Sequence, residues 1–330
     1  MPALVAVLAA LLEIEFPRID PVALDFPGPI DVRWYGLGYL AGFAVAYVLL
    51  RRMARNGFLR MDPDAAGDLI TALVLGVILG GRLGYILFYD FDSFLANPAR
   101  IIRIWEGGLS FHGGLLGVLV ATWWFTRHHR VPFFNLGDVL ALAIPFGIFF
   151  VRVANFINGE LYGRVTTPDV AWAMRFPTDP EALRLLGAER LPMRQREQAI
   201  EAAYDSGLWD RVRDQVPLRH PSQLYEAALE GLALGLIIWT VYLVARRRGT
   251  RLPDGTYGGI FLLGYGIFRS LVELFRQPDT QFTEPGDPLG TVLGPLTMGQ
   301  TLSTLMILGG LAILLWSWRR SHHAGSRVAG

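Results

Sequence analysis

Seven stretches of the sequence are long and apolar enough for a helix to cross the ~30 Å hydrocarbon core of a bilayer, which takes about 20 residues. They run Trp34–Leu50, Leu69–Tyr89, Leu109–Thr126, Val139–Ile157, Leu229–Ala245, Tyr257–Phe275 and Met298–Trp318. Short connections join most of them. The exception is the segment 158–223, polar and proline-containing, with nine arginines, too charged to span. The pattern predicts an all-α polytopic membrane protein of seven transmembrane helices, with a small periplasmic head between helices four and five. Composition agrees. Hydrophobic residues make up 52% of the 330, charged residues 18%, and the mean hydropathy is +0.36, so the chain cannot cover itself with a water-soluble surface.

The net charge of +1 conceals an asymmetry in where the charges fall. All 30 basic residues are arginine. Arg51, Arg52, Arg55 and Arg60 follow span one, and Arg127 and Arg130 follow span three. Arg246, Arg247, Arg248 and Arg251 follow span five, and Arg319 and Arg320 follow span seven. With seven spans these clusters share one side, which the positive-inside rule makes cytoplasmic; six or eight spans would scatter them. The expected order is an N-terminal interfacial and periplasmic segment (1–33), spans one to four (34–157), the head (158–223), spans five to seven (224–318) and a cytoplasmic tail (319–330), with the N-terminus outside. Met1–Leu12 lacks the basic flank and cleavage site of a signal peptide and is expected to lie along the membrane surface. There is no cysteine, hence no thiolate ligand or cysteine nucleophile. No Asp/His set has metal-ligand spacing, so no metal, cofactor or nucleic-acid partner is expected.

Ionisable residues inside spans cost about 2.5–3.5 kcal/mol each on insertion scales and are candidates for function. Span four ends with Arg152, Asn155, Asn158, Glu160 and Gly163, with Arg152 and Asn155 on one helix face. Span six carries Tyr265, Arg269, Glu273 and Arg276 at spacings of 4, 4 and 3, a polar stripe. Span three opens outward with His112-Gly113-Gly114, and span one with Trp34-Tyr35. Four helices thus bring polar groups to the depth of the outer leaflet. Plainer readings exist for each. Arg269 and Glu273 fit a neutralised structural pair, Arg152 a snorkelling cation, His112 a backbone hydrogen bond, and Trp34 and Tyr35 an aromatic belt. The glycine spacings 76–80–84 and 113–117 fit helix packing, and Arg82 leans to a structural role.

The run Val151-Arg152-Val153-Ala154-Asn155-Phe156-Ile157-Asn158-Gly159-Glu160-Leu161-Tyr162-Gly163 resembles the signature of the bacterial prolipoprotein diacylglyceryl transferases, with Val151 where that family has glycine. Further similar stretches are Arg33–Gly36, Gly81–Gly84, Ser110–Gly114, His220–Glu226, Arg269–Asp279 and Met298–Ser303. The resemblance implies transfer of the diacylglyceryl group of phosphatidylglycerol to the lipobox cysteine thiol of a preprolipoprotein, in the bacterial inner membrane. A thioether forms and glycerol-1-phosphate leaves. On that reading Arg152 and Arg269 clamp the departing phosphate, with Glu273 and Glu160 orienting them. His112 takes the thiol proton. Asn155, Asn158 and Tyr35 hold the headgroup, Tyr265 supports Arg269, Arg276 extends the binding stripe, and Gly163 permits a tight exit into the head. A transporter of anionic solutes, or a non-catalytic lipid-binding factor, would also want the arginines. The first would usually show related halves, and the second would have no use for His112.

Overall fold

The computed structural model describes residues 14–26, 31–103, 108–278 and 290–326, so the Met1–Leu12 segment lies outside them. The principal helices are α1 (Trp34–Arg55), α2 (Ala66–Tyr89), α3 (Phe111–His128), α4 (Phe133–Ile157), α5 (Met193–Asp205), α6 (Ser222–Arg247), α7 (Thr256–Val272) and α8 (Met298–Ser326). Within α6 the stretch Ala227–Ala233 is π-helical, a local widening often found at functional sites. Five helices, α1, α2, α4, α6 and α8, are long and apolar enough to cross a membrane. The expected third and sixth spans correspond to α3 and α7, of 18 and 17 residues. The burial pattern is inverted relative to a soluble protein. Leu75, Leu79, Leu83 and Leu87 form an exposed stripe at one-turn spacing on α2, and Leu305, Leu308 and Leu315 stand exposed on α8. Apolar surface of that extent needs a lipid solvent.

The chain forms two compact units. The first gathers residues up to Ala41, Pro145–Ile237 and Phe261–Leu311. Two small apolar clusters order its 158–221 region. Phe156, Met174 and Phe176 pack with Phe16, Tyr162 and Leu224, and Ala182, Trp209 and Val216 pack with Tyr204 and Val212. Arg219 ties the first of these together. It lies over the Tyr162 ring at 4.9 Å and donates from Nε to buried Asp179 at 2.5 Å. The N-terminal strands β1 (Val22–Asp25) and β2 (Asp31–Arg33) pair antiparallel. Arg18, ahead of β1, and Arg33, the last residue of β2, hold α5 by charge, Arg18 to Glu201 and Asp205 and Arg33 to Glu197. Strands β3 (Thr291–Leu293) and β4 (Leu296–Thr297) form a second two-stranded ribbon before α8.

The second unit comprises Gly42–Ile144, Ile238–Ile260 and the residues from Ala312. In it α2 and α3 touch backbone to backbone. A Cβ on Gly76 would lie 2.7 Å from the Gly117 carbonyl oxygen, and one on Gly84 2.7 Å from Gly113 Cα, which is the small-residue packing expected from the spacing. Arg82, 5% exposed, donates to the carbonyls of Ile101, Arg103 and Gly108, a structural use of an intramembrane cation. Buried Asp138 accepts from the backbone N–H of Gly255 and Gly258, both at 2.8 Å, and so caps the start of α7.

Candidate active site

The site in the first unit grows from the C-terminal end of α4. Arg152 and Asn155, one turn apart, meet through an Nη1–H donated to Asn155 Oδ1 at 3.2 Å. Gly159, at φ +63°, turns the chain out of the helix and brings Glu160 back over it. The Glu160 carboxylate then accepts from Asn155 Nδ2 at 2.8 Å and from Asn158 Nδ2 at 3.2 Å. Both amides of the signature are thereby oriented by one acid. The turn is stitched to the start of α6. Gln223 donates to the Glu160 carbonyl at 2.7 Å and Ser222 to the Leu161 carbonyl at 3.0 Å. Gly163 pairs with Arg276 in an isolated bridge. A Cβ there would lie 2.8 Å from His220 Cβ and collide with the Phe275 carbonyl, so only glycine fits that passage.

This stitching sets Glu226 of α6 against Arg152. The Glu226 carboxylate, wholly buried, pairs with Arg152 Nε at 2.5 Å and with Arg276 Nη1 of the segment following α7 at 3.5 Å. On α7 itself Arg269 pairs with Glu273 at 2.7 Å. The Thr297 hydroxyl donates to Glu273 at 2.9 Å, and Gly299 lies so close that a Cβ would come within 2.6 Å of the carboxyl carbon. Arg269 also feels the charges of Glu226 and of Glu230, one turn further along α6, and Tyr265 feels Arg152, Arg269 and both of these acids. Arg152 and Arg276 thus share buried Glu226, while Arg269 pairs with Glu273 and lies within electrostatic reach of Glu226 and Glu230. Fixed guanidiniums in a dry setting suit an anionic oxygen group, because they stay charged and present donors in a rigid fork.

A cleft of about 350 Å³ is lined by Arg33, Tyr35, Asn155, Asn158, Glu160, Leu161 and Met193. It unites Tyr35, Asn155, Asn158 and Glu160, and Tyr35 shares a hydrogen bond with Tyr39 at 3.1 Å. His112 belongs to the second unit, exposed on the first turn of α3, a helix capped by Ser110 Oγ. Glu273 contacts Arg269 as the spacing predicts. Glu160 differs from expectation: its carboxylate accepts from the two asparagine amides, and the carboxylate paired with Arg152 is Glu226. The physical reason is the tight turn at Gly159, which folds Glu160 onto the amides and leaves Arg152 to an acid from another helix. Glu226, Glu230 and Gln223 were not singled out by sequence reasoning. Starting span five at Leu229 left Glu226 just ahead of the span, although two acids one turn apart in the first turns of an apolar helix are a usable signal. Among the described residues no group of three or more His, Asp or Glu is arranged to hold a metal ion.

Beside this cluster, the His220 imidazole meets the Tyr225 hydroxyl at 3.0 Å and packs on Phe275. Burial there pulls its pKa below the ordinary imidazole value.

The profile of the prolipoprotein diacylglyceryl transferase family matches residues 21–316. Phosphatidylglycerol–prolipoprotein diacylglyceryl transferases of Yersinia enterocolitica, Yersinia pestis and Yersinia pseudotuberculosis are each 43% identical over 309 residues, covering 93% of this chain and 96% of theirs. With a match that runs through the long apolar helices and the 158–221 region between them alike, the chain belongs to the prolipoprotein diacylglyceryl transferase family.

Proposed function

We infer that this protein is a diacylglyceryl transferase of the bacterial cytoplasmic membrane, moving the diacylglyceryl group of phosphatidylglycerol to the lipobox cysteine of a preprolipoprotein. The observation that carries the reading is the gathering of Arg152 and Arg269 about buried acids of α6 and α7, Arg152 paired with Glu226 and Arg269 with Glu273. The bond to be broken joins a glycerol carbon to a phosphate oxygen. The thiol sulfur forms the new bond to that carbon, the electron pair of the old bond goes to the phosphate oxygen, and glycerol-1-phosphate departs. Charge accumulating on the phosphate is what Arg152 and Arg269 oppose, and removing one such stabiliser costs about 3 kcal/mol, a hundredfold or more in rate. Arg276 adds to the same field. Asn155, Asn158 and Tyr35, with Glu160 holding the amides, receive the headgroup hydroxyls at the cleft, and Tyr265 buttresses Arg269. His112 accepts the thiol proton, a task suited to an imidazole near neutral pH.

In this reading α1, α2, α3, α4, α6, α7 and α8 all span. At 1.5 Å per residue α3 and α7 reach about 27 and 26 Å, close to the hydrocarbon thickness once polar ends are allowed for. The arginine clusters face the cytoplasm, with the 158–223 head and the N-terminus outside. Purified Arg152→Ala and Arg269→Ala variants, given phosphatidylglycerol and a lipobox peptide, should fail to add diacylglyceryl mass by mass spectrometry. Undiminished turnover in either refutes the clamp. His112→Gln with full activity and an unchanged pH profile removes the base role alone. A peptide that gains no mass from the wild-type chain would instead favour the transporter or binding-factor readings.

A further inference from the structure

Glu230 is the one acid of the cluster that the transfer chemistry leaves without a task. Counted with Glu230 itself, the cluster among the described residues holds six acids and arginines, beside Tyr265 of α7. Arg152 comes from α4, Glu226 and Glu230 from α6, and Arg269, Glu273 and Arg276 from α7 and the turn after it. Two of the three acids are committed. Glu226 pairs with Arg152 and Arg276, and Glu273 pairs with Arg269 and accepts from Thr297. Glu230 is fully buried, and neither carboxyl oxygen has a hydrogen-bond partner among the described residues. Its near neighbour on the helix, Glu226, is itself an acid. Arg269 Nη1 is likewise buried without an acceptor.

Arg269, Arg152 and Arg276 act on Glu230 through space, yet an ionised carboxylate there would lack any hydrogen-bond donor among the described residues, sit beside a like charge, and offer a phosphate only repulsion. A neutral carboxyl at the same position leaves three guanidiniums against two carboxylates and supplies one O–H. We propose that Glu230 stands in the site as the neutral carboxylic acid, and that its O–H joins the Nη1–H of Arg269 as a donor to the phosphate oxygens of a singly charged lipid. The two unmet groups then have a common purpose. Each is a donor awaiting an acceptor oxygen, and the surplus of one positive charge among the described residues matches a phosphodiester monoanion. A zwitterionic lipid, whose own ammonium answers its phosphate, matches it less well. The identity of that phosphate rests on the transferase reading; the proton on Glu230 does not.

Infrared spectroscopy of the purified full chain decides the protonation state without any assay of activity. Wild-type protein should show the carbonyl stretch of a protonated carboxylic acid, sensitive to exchange into D₂O, that disappears in E230Q and moves in E230D. The absence of such a band, or its persistence unchanged in both variants, overturns the proposal. E230D keeps this measurement available where E230Q does not fold. The donor role is read kinetically. E230A should raise the KM for phosphatidylglycerol about tenfold or more, the loss of a hydrogen bond to a charged group, and E230Q should recover most of it because its amide N–H replaces the O–H. E230Q as impaired as E230A overturns the donor role. A chain that carries the band yet adds no lipid to the peptide would uphold the neutral Glu230 and remove the transferase reading, so the two failures are distinct.

Discussion

Replacing Glu226 by glutamine tests the electrostatic centre of the site most directly. The carboxylate is fully buried, 2.5 Å from Arg152 and 3.5 Å from Arg276, whose side chains are 19% and 16% exposed. At an effective dielectric of ~20 those separations correspond to roughly 7 and 5 kcal/mol of gross attraction. Most of that is offset by the cost of drying three charges. Buried pairs broken from one side lose about 3–5 kcal/mol, because an uncompensated charge remains. The slight exposure of both guanidiniums favours the lower end, about 3 kcal/mol. Glutamine keeps the size of the side chain but turns one oxygen into a donor, which must face a guanidinium N–H. Arg152 then keeps only its contact with Asn155 among those described and can swing out of register, so the rate of lipid transfer should fall about a hundredfold or more, since it depends on Arg152 being held where charge develops. Thermal unfolding in detergent, followed by tryptophan fluorescence, should show a lowered midpoint. Mass spectrometry of the lipobox peptide reports the rate. An E226Q protein with the wild-type melting temperature and undiminished turnover would refute the idea that this acid organises the arginines.

Three further outcomes follow from the geometry. Asp138→Asn replaces one of the two acceptor oxygens that hold the backbone N–H groups at the start of α7, leaving one donor unmet, and should cost about 1–3 kcal/mol, seen as a lower unfolding midpoint; an unaltered midpoint would mean the cap is not used. Gly117→Leu would drive a side chain into the Gly76 backbone and should separate α2 from α3, giving poor yield and rapid proteolysis, whereas Gly137→Ala, with open space around it, should not. His220, whose folded pKa is lowered by burial, contributes stability that is complete above the ordinary imidazole pKa of about 6.5 and is lost as pH falls through the lower folded value. The wild-type midpoint should therefore drop on acidification more than that of His220→Gln, and parallel pH curves would contradict this.

Much of the fold could be read directly from the residues. The positions of the apolar runs follow from bilayer thickness and the rise of a helix, quantities that do not depend on neighbours. The same is true of the Arg152–Asn155 contact and the Arg269–Glu273 pair, because three- and four-residue spacings on a helix dictate adjacency. The glycine contact between α2 and α3 was legible for a related reason: three glycines a turn apart leave a flat strip that invites another backbone.

What only the tertiary structure decided is which helix faces which. Glu226 lies far along the chain from Arg152, and nothing in the period of either helix announces their pairing. Lipid tails and helix surfaces are equally apolar, so hydrophobicity alone cannot choose partners among membrane helices; close packing and buried charge must do so. The choice came from a local event, the turn at Gly159, which carried Glu160 onto the two asparagines and brought Gln223, and with it Glu226, to the arginine. Residue spacing determines what lies along one helix, while the acid that holds a cation between helices exists only once the chain has closed on itself.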